Sequence, residues 1–197
     1  MSLRRLVLSG FVLTLVAGCA SQVPPVQVTR FHLGQPIARG EIVVEPRDPT
    51  LANSLEFRSQ AEAVSAELAR LNFRLAPGIA KSELVAVVDV TRRTRRDADT
   101  GSGVSVGLGG GSYGGGVGVG GGVSFPIGKS KSRDVDLTEL AVQIKRRSEG
   151  TVIWEGRARS EARAGTPGAA PAAAVQRLAA ALFKDFPGES GRVVTVK

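Results

Sequence analysis

Apolar and polar positions recur at two periods along this chain, and the periods lay out its elements. Val26-Gln27-Val28-Thr29-Arg30-Phe31 alternates as a half-buried strand does. Gly40-Glu41-Ile42-Val43-Val44-Glu45 predicts a second strand, closed by Pro46. Asp48-Pro49 reads as a helix start, a carboxylate N-cap followed by proline at the first helical position. Phe57, Ala61, Val64, Leu68 and Leu71 then recur at spacings of four, three, four and three. That stripe predicts one helix from about Pro49 to Leu71, with Asn72 at its C-cap and Glu56, Gln60, Glu67 and Arg70 on its solvated side.

The segment Glu83 to Thr91 is apolar on both faces, which predicts a central strand. It runs into the basic, turn-prone Arg92-Arg93-Thr94-Arg95-Arg96-Asp97. Leu137 to Ile144 and Thr151 to Ala162 predict two more strands, joined through a turn at Gly150. In the second of these, Val152, Trp154, Gly156, Ala158, Ser160 and Ala162 share one face, and Glu155, Arg157, Arg159, Glu161 and Arg163 share the other. Thr166-Pro167-Gly168 breaks the chain. Pro171 opens an alanine-rich helix with Val175, Leu178, Ala179 and Leu182 as its stripe, ended by Pro187-Gly188. Arg192 to Val196 reads as a last edge strand or a tail. The order predicts an α+β domain over residues 27–197: a two-layer fold with a mostly antiparallel sheet and two helices on one face.

The N-terminus follows another logic. Arg4 and Arg5 precede a short apolar run, Leu6 to Leu15, and Val16-Ala17-Gly18-Cys19 follows at once. A basic start, a run of about ten apolar residues and small residues at a cleavage site describe a secretory signal, since a spanning helix needs roughly 20. Small residues immediately before a cysteine form a lipobox, where the thiol receives diacylglycerol before the peptidase cuts. We therefore expect residues 1–18 to be a lipoprotein signal peptide, Cys19 to be lipidated and residues 19–26 to form a proline-bearing tether. The sole cysteine is then consumed by lipid, so no disulfide forms within the mature domain. Ala20 after the cysteine, in place of an inner-membrane retention aspartate, points to the outer membrane, facing the periplasm.

Between Gly101 and Gly122 the composition shifts to glycine, with Val104, Val106, Leu108, Val117 and Val119 alternating with small residues. The segment reads either as a glycine-rich hairpin with Gly109 to Gly116 at its tip or as a disordered insertion. It is not a phosphate loop. Gly128-Lys129-Ser130 ends like one, but the required glycine five residues before Gly128 is Val123.

The chain carries 26 lysines and arginines against 18 acidic residues. The excess favours anionic partners. Nucleic acid is excluded by the compartment and by aromatic residues that do not interleave with the basic clusters. The candidate surface for an anionic partner is Arg157, Arg159 and Arg163 with Arg92 and Arg93. The lone His32 has no cysteine or carboxylate cluster to complete a metal site and no nucleophile elbow to serve, so we read it as structural. Asp134, Asp136 and Glu139 are the one carboxylate group that could serve glycan hydrolysis, yet beside so many basic residues they read as solvated charge. No cofactor is implied.

The lipobox, the Asp-Pro helix start, the glycine-rich insertion, Val152-Ile153-Trp154-Glu155-Gly156 and the last alanine-rich helix together resemble the domain-of-unknown-function family 4136. In that family a [Val/Ile]-W-x-G strand precedes the final helix. The resemblance spans about Val26 to Pro187 and implies a lipoprotein of Gram-negative bacteria. It brings no activity and no catalytic residue. More distantly, the layout is similar to auxiliary lipoproteins of lipid-transport systems. The expected function is that of a non-enzymatic, lipid-anchored periplasmic module, binding a partner in envelope assembly or lipid transport. Direct binding of anionic lipid or lipopolysaccharide, and cell-wall glycan hydrolysis, are the alternatives.

Overall fold

The computed structural model describes residues 23–76, 82–96 and 134–197. The expected signal peptide at 1–18, the expected lipidation site Cys19 and the glycine-rich segment 101–122 lie outside the described residues. Among those described are seven strands: β1 (Val26–His32), β2 (Glu41–Pro46), β3 (Arg74–Leu75), β4 (Leu84–Arg96), β5 (Asp134–Arg146), β6 (Val152–Arg163) and β7 (Val193–Val196). Two α-helices join them, α1 (Leu55–Arg70) and α2 (Pro171–Phe183). The strands form one sheet in the order β3-β2-β4-β5-β6-β1-β7. β2 runs parallel to β3 and β4, and the other pairs are antiparallel. Parallel neighbours need a crossover, and α1 supplies it between β2 and β4. The fold is the expected α+β layering.

One face of the sheet carries the core. Val28, Ala158 and Leu140 stand in register across β1, β6 and β5. They pack with Val64 and Leu68 of α1 and Leu178 and Leu182 of α2 in a single cluster. Period-two alternation along β6 explains why both helices choose this face. Trp154 and Ala158 are fully buried while Arg157 and Arg159 are exposed. The Trp154 ring stacks on Phe183 at 5.4 Å, and its Nε1 donates to the Pro187 carbonyl at 3.0 Å. Gly156 lies beside it on the same face. A methyl there would sit 2.8 Å from Leu182 Cδ1 and closer still to the indole. The W-x-G spacing is therefore a ring and the space it needs.

Three expectations are corrected. First, the helix expected from Pro49 is two pieces. Asp48 Oδ1 accepts the Thr50 N–H at 3.0 Å and caps a short 3₁₀ turn, Pro49–Leu51. α1 starts only at Leu55, where Ser54 Oγ accepts the Phe57 N–H at 3.0 Å. Two caps compete, and exposed Leu51 and Leu55 give the intervening residues no apolar reason to join one helix. Asn72 takes the left-handed conformation beyond the C-cap Leu71 (φ 65), while Phe73 N–H returns to the Leu68 carbonyl at 3.1 Å. That is a Schellman closure, completed by burial of Phe73 and Leu68.

Second, β4 does not stop before the arginines. It pairs with β5 without interruption from Leu84↔Arg146 to Arg96↔Asp134. A solvated arginine meets no steric bar in a strand, and acidic residues on β5 and β6 supply cross-strand partners. Third, α2 ends at Phe183, ahead of Pro187, and Lys184 already has extended geometry (ψ 132). The last carbonyls of α2 are taken by Arg30 of β1, whose side chain is in phase with the buried Val26 and Val28. Burial lowers the pKa of this guanidinium, and the charge of Asp185 pulls it partly back.

Candidate functional site

The second face of the sheet is free of helices among the described residues, and register dictates what it displays. Across β4, β5 and β6 its rows read Asp89–Ala141–Arg157, Thr91–Glu139–Arg159, Arg93–Leu137–Glu161 and Arg95–Val135–Arg163. Neighbouring strands are about 4.8 Å apart, so charges of opposite sign interlock across this surface. Arg157 pairs with Glu155 at 2.9 Å, Arg95 with Glu161 at 3.3 Å, and Arg47 with Asp89 at 3.1 Å. Arg159 Nε donates to Gln27 Oε1 at 2.8 Å. A shallow hollow of about 440 Å³ opens beside it, lined by Pro25, Gln27, Leu137, Arg159, Glu161 and Thr195.

The five arginines expected to act together fall into three settings. Arg157 and Arg159 sit mid-face. Arg93 and Arg163 lie at the end of the sheet where β4 and β6 finish, together with Arg95 and Arg96. Arg92 is opposite Thr138 on the helix-covered side. Its Nη2 donates to Asp136 Oδ2 at 2.8 Å and to the Ala169 carbonyl at 2.6 Å. Arg92 thus fastens the approach to α2 onto the sheet and does not share the surface of the other four. Arg95 and Arg96, read in the sequence as part of the same basic group but not placed on the candidate surface, join them here because β4 continues through this segment.

Asp136 is likewise no solvated carboxylate. It is buried and accepts from Arg92 and from Thr94 Oγ1 at 2.8 Å. The Arg92 hydrogen bond, then that of Thr94, hold its pKa below the usual carboxylate range. Glu139 is one of the open-face residues and Asp136 points to the helices, so they stand on opposite sides of β5. Asp134 is 3.6 Å from Arg96. His32 accepts the Gly34 N–H at Nδ1 (3.1 Å), which leaves Nε2 to donate to the Gly188 carbonyl at 2.9 Å. It ties the end of β1 to the loop after α2, a structural task. Among the described residues no cluster of histidine, cysteine or carboxylates is arranged to hold a metal ion, and no helix is long and apolar enough to cross a membrane.

Residues 29–188 match the family described as Domain of unknown function (DUF4136). The chain belongs to this family. A curated member-like sequence, an uncharacterized protein of Zymomonas mobilis, is 36% identical over 88% of this chain and 80% of its own length. Among solved structures, the PelC dodecamer from Paraburkholderia phytofirmans is similar at 13% identity and a TM-score of 0.39, over 78% of this chain and 94% of its own. A PDZ domain protein from Parabacteroides distasonis is similar at 12% identity and a TM-score of 0.44. That alignment takes in 88% of this chain, which spans 39% of the PDZ protein. Trp154 and Gly156, on which the family resemblance leaned, lie inside the matched range and prove to be core residues.

Proposed function

We propose that this DUF4136 protein is a lipid-anchored periplasmic module of the cell envelope, held in the outer membrane by acylated Cys19, which binds a membrane-protein partner without catalysing a reaction. The observation that carries this reading is the face of the sheet left without a helix among the described residues, where Arg157 and Arg159 stand exposed beside a hollow of about 440 Å³. A partner with an acidic projection can exchange the Arg157–Glu155 pair within β6 and the Arg159–Gln27 hydrogen bond for its own carboxylates, since an exposed ion pair is worth only about 0–1 kcal/mol. The signal ending at Cys19 supports the compartment, and the separation of Asp136 and Glu139 on opposite faces supports a non-enzymatic role.

The test is gentle detergent purification of the full-length protein from its native membranes, followed by mass spectrometry of proteins and lipids. A stoichiometric membrane protein that is lost from the Arg157→Ala/Arg159→Ala variant, with the variant still folded by circular dichroism, is the expected result. Bound lipid or lipopolysaccharide with no protein partner would replace this reading with direct lipid binding. Palmitate incorporated normally into a Cys19→Ala chain would remove the anchor.

A further inference from the structure

We infer that the end of the sheet bearing Arg93, Arg95, Arg96 and Arg163 rests on anionic phospholipid headgroups, so that the anchored domain stands with its strands roughly upright on the membrane. The inference rests on the acyl anchor proposed at Cys19 and adds to it an orientation and a second contact.

Chain reach comes first. Val23 shares a hollow with Pro24, Arg163, Thr166, Gly168 and Arg177. A methyl added to Gly168 would sit 3.3 Å from Pro24, so the chain enters the domain packed against this end. Cys19 is four peptide units from Val23. At roughly 3.6 Å per extended residue, its Cα lies within about 14 Å of Val23 in any conformation. An acylated Cys19 therefore keeps this end of the sheet close to the bilayer.

Charge comes second. β4 ends, β5 starts and β6 ends here, with Arg95, Val135 and Arg163 in one row. Two strand spacings place Arg95 and Arg163 about 10 Å apart. Among the described residues the four arginines stand with two carboxylates, Glu161 beside Arg95 and Asp134 beside Arg96, while Asp136 is occupied by Arg92. The Arg163 side chain is exposed and makes no ion pair with the described residues. Among the described residues the opposite end is balanced. Arg146 pairs with Glu149 and Arg147 with Glu45, with Lys145 and Glu83 nearby in the same turn region. The basic excess sits at the end the tether holds down, within reach of the roughly 8–10 Å over which a charged surface acts.

The test uses the full-length protein from native membranes, with a single reactive thiol introduced at Ala164→Cys beside the basic end or at Ser148→Cys at the far turn. Each is labelled with a fluorescent donor and reconstituted in phosphatidylethanolamine vesicles, with or without phosphatidylglycerol, carrying a headgroup acceptor. The two labels are about 40 Å apart along β6. Energy transfer should be strong from Ala164→Cys and weak from Ser148→Cys in phosphatidylglycerol vesicles. The contrast should shrink, to the part that the tether alone imposes, at high salt, without phosphatidylglycerol, and after Arg93→Gln/Arg96→Gln/Arg163→Gln in a background that still unfolds at the same urea concentration.

Equal transfer from both sites, or a contrast indifferent to salt and lipid charge, would overturn the inference. Transfer between Ala164→Cys labels on different copies that grows with protein density would put a second copy on this end, and would overturn it too. Mass spectrometry of the same samples separates the two proposals. No acyl chain on Cys19 brings down the anchor and this inference with it, whereas an acylated protein with no orientation brings down this inference alone.

Discussion

Arg30 Nε donates a hydrogen bond to the Leu182 carbonyl at 2.9 Å, so a strand arginine closes the C-terminus of the helix packed above it. Its Nη2 donates to Ala181 at 3.0 Å and Lys184 at 2.8 Å. The guanidinium satisfies carbonyls that every helix end leaves over, at a point where water has little access. Arg30→Met should lower unfolding stability by about 2–3 kcal/mol, because buried acceptors lose a charged donor. Arg30→Lys should recover only part of this, since an ammonium lacks the planar fork. Urea unfolding monitored by Trp154 fluorescence measures both.

Gly156→Ala tests the W-x-G packing. The added methyl meets Leu182 and the indole of Trp154, and overpacking of this kind costs about 1–3 kcal/mol. Backbone freedom is not the issue here, so Gly156→Ala in a Trp154→Leu background should cost less than in the parent. Equal costs in the two backgrounds would refute the steric account.

Ser54→Ala should destabilise the domain by about 1 kcal/mol, the usual value of an N-cap, because Ser54 starts α1. Asp48→Ala should cost less, since Asp48 caps only an exposed 3₁₀ turn. Thermal unfolding of the two variants decides between this broken start and one continuous helix.

The Asp136 ion pair predicts a pH dependence. A carboxylate whose folded pKa is lowered stabilises the fold above its unfolded pKa of about 3.9, and the contribution is lost as pH falls through the folded value. Asp136→Asn should therefore be less stable than the parent at pH 7, by about 1–3 kcal/mol for a buried charged hydrogen bond. The gap should narrow only below about pH 4. A gap that closes between pH 7 and 5 would assign the effect to another group.

Much of this architecture is legible in the sequence because one face of nearly every strand is buried. Trp154, Ala158 and Ala162 set the phase of β6, and the same period assigns Arg157 and Arg159 to the other side. What escaped notice was polar residues in phase with apolar ones. Arg30 follows Val26 and Val28, Asp136 precedes Leu140 and Val142, and Arg92 follows Val88 and Val90. Each is in the buried phase: Arg30 and Arg92 tie the sheet to the layer of α2, and Asp136 holds Arg92 in place. Charge alone reads as solvation, so the signal was the phase. The extension of β4 escaped for a different reason. Its arginines gain their partners from β5 and β6, and no local pattern reports that. Likewise the candidate arginine surface was one list in sequence and is three places in space, because adjacent Arg92 and Arg93 point to opposite sides of a strand.

The β4–β5 ladder closes on the pair Arg96↔Asp134, so the chain leaves the sheet and re-enters it on adjacent strands. For a flexible connection between two such strand ends, each doubling of length costs only about 0.6 kcal/mol in loop closure. The domain is thereby a chassis with an open port. Shortening the glycine-rich stretch, or splicing a foreign module into it, should leave the midpoint of unfolding almost unmoved.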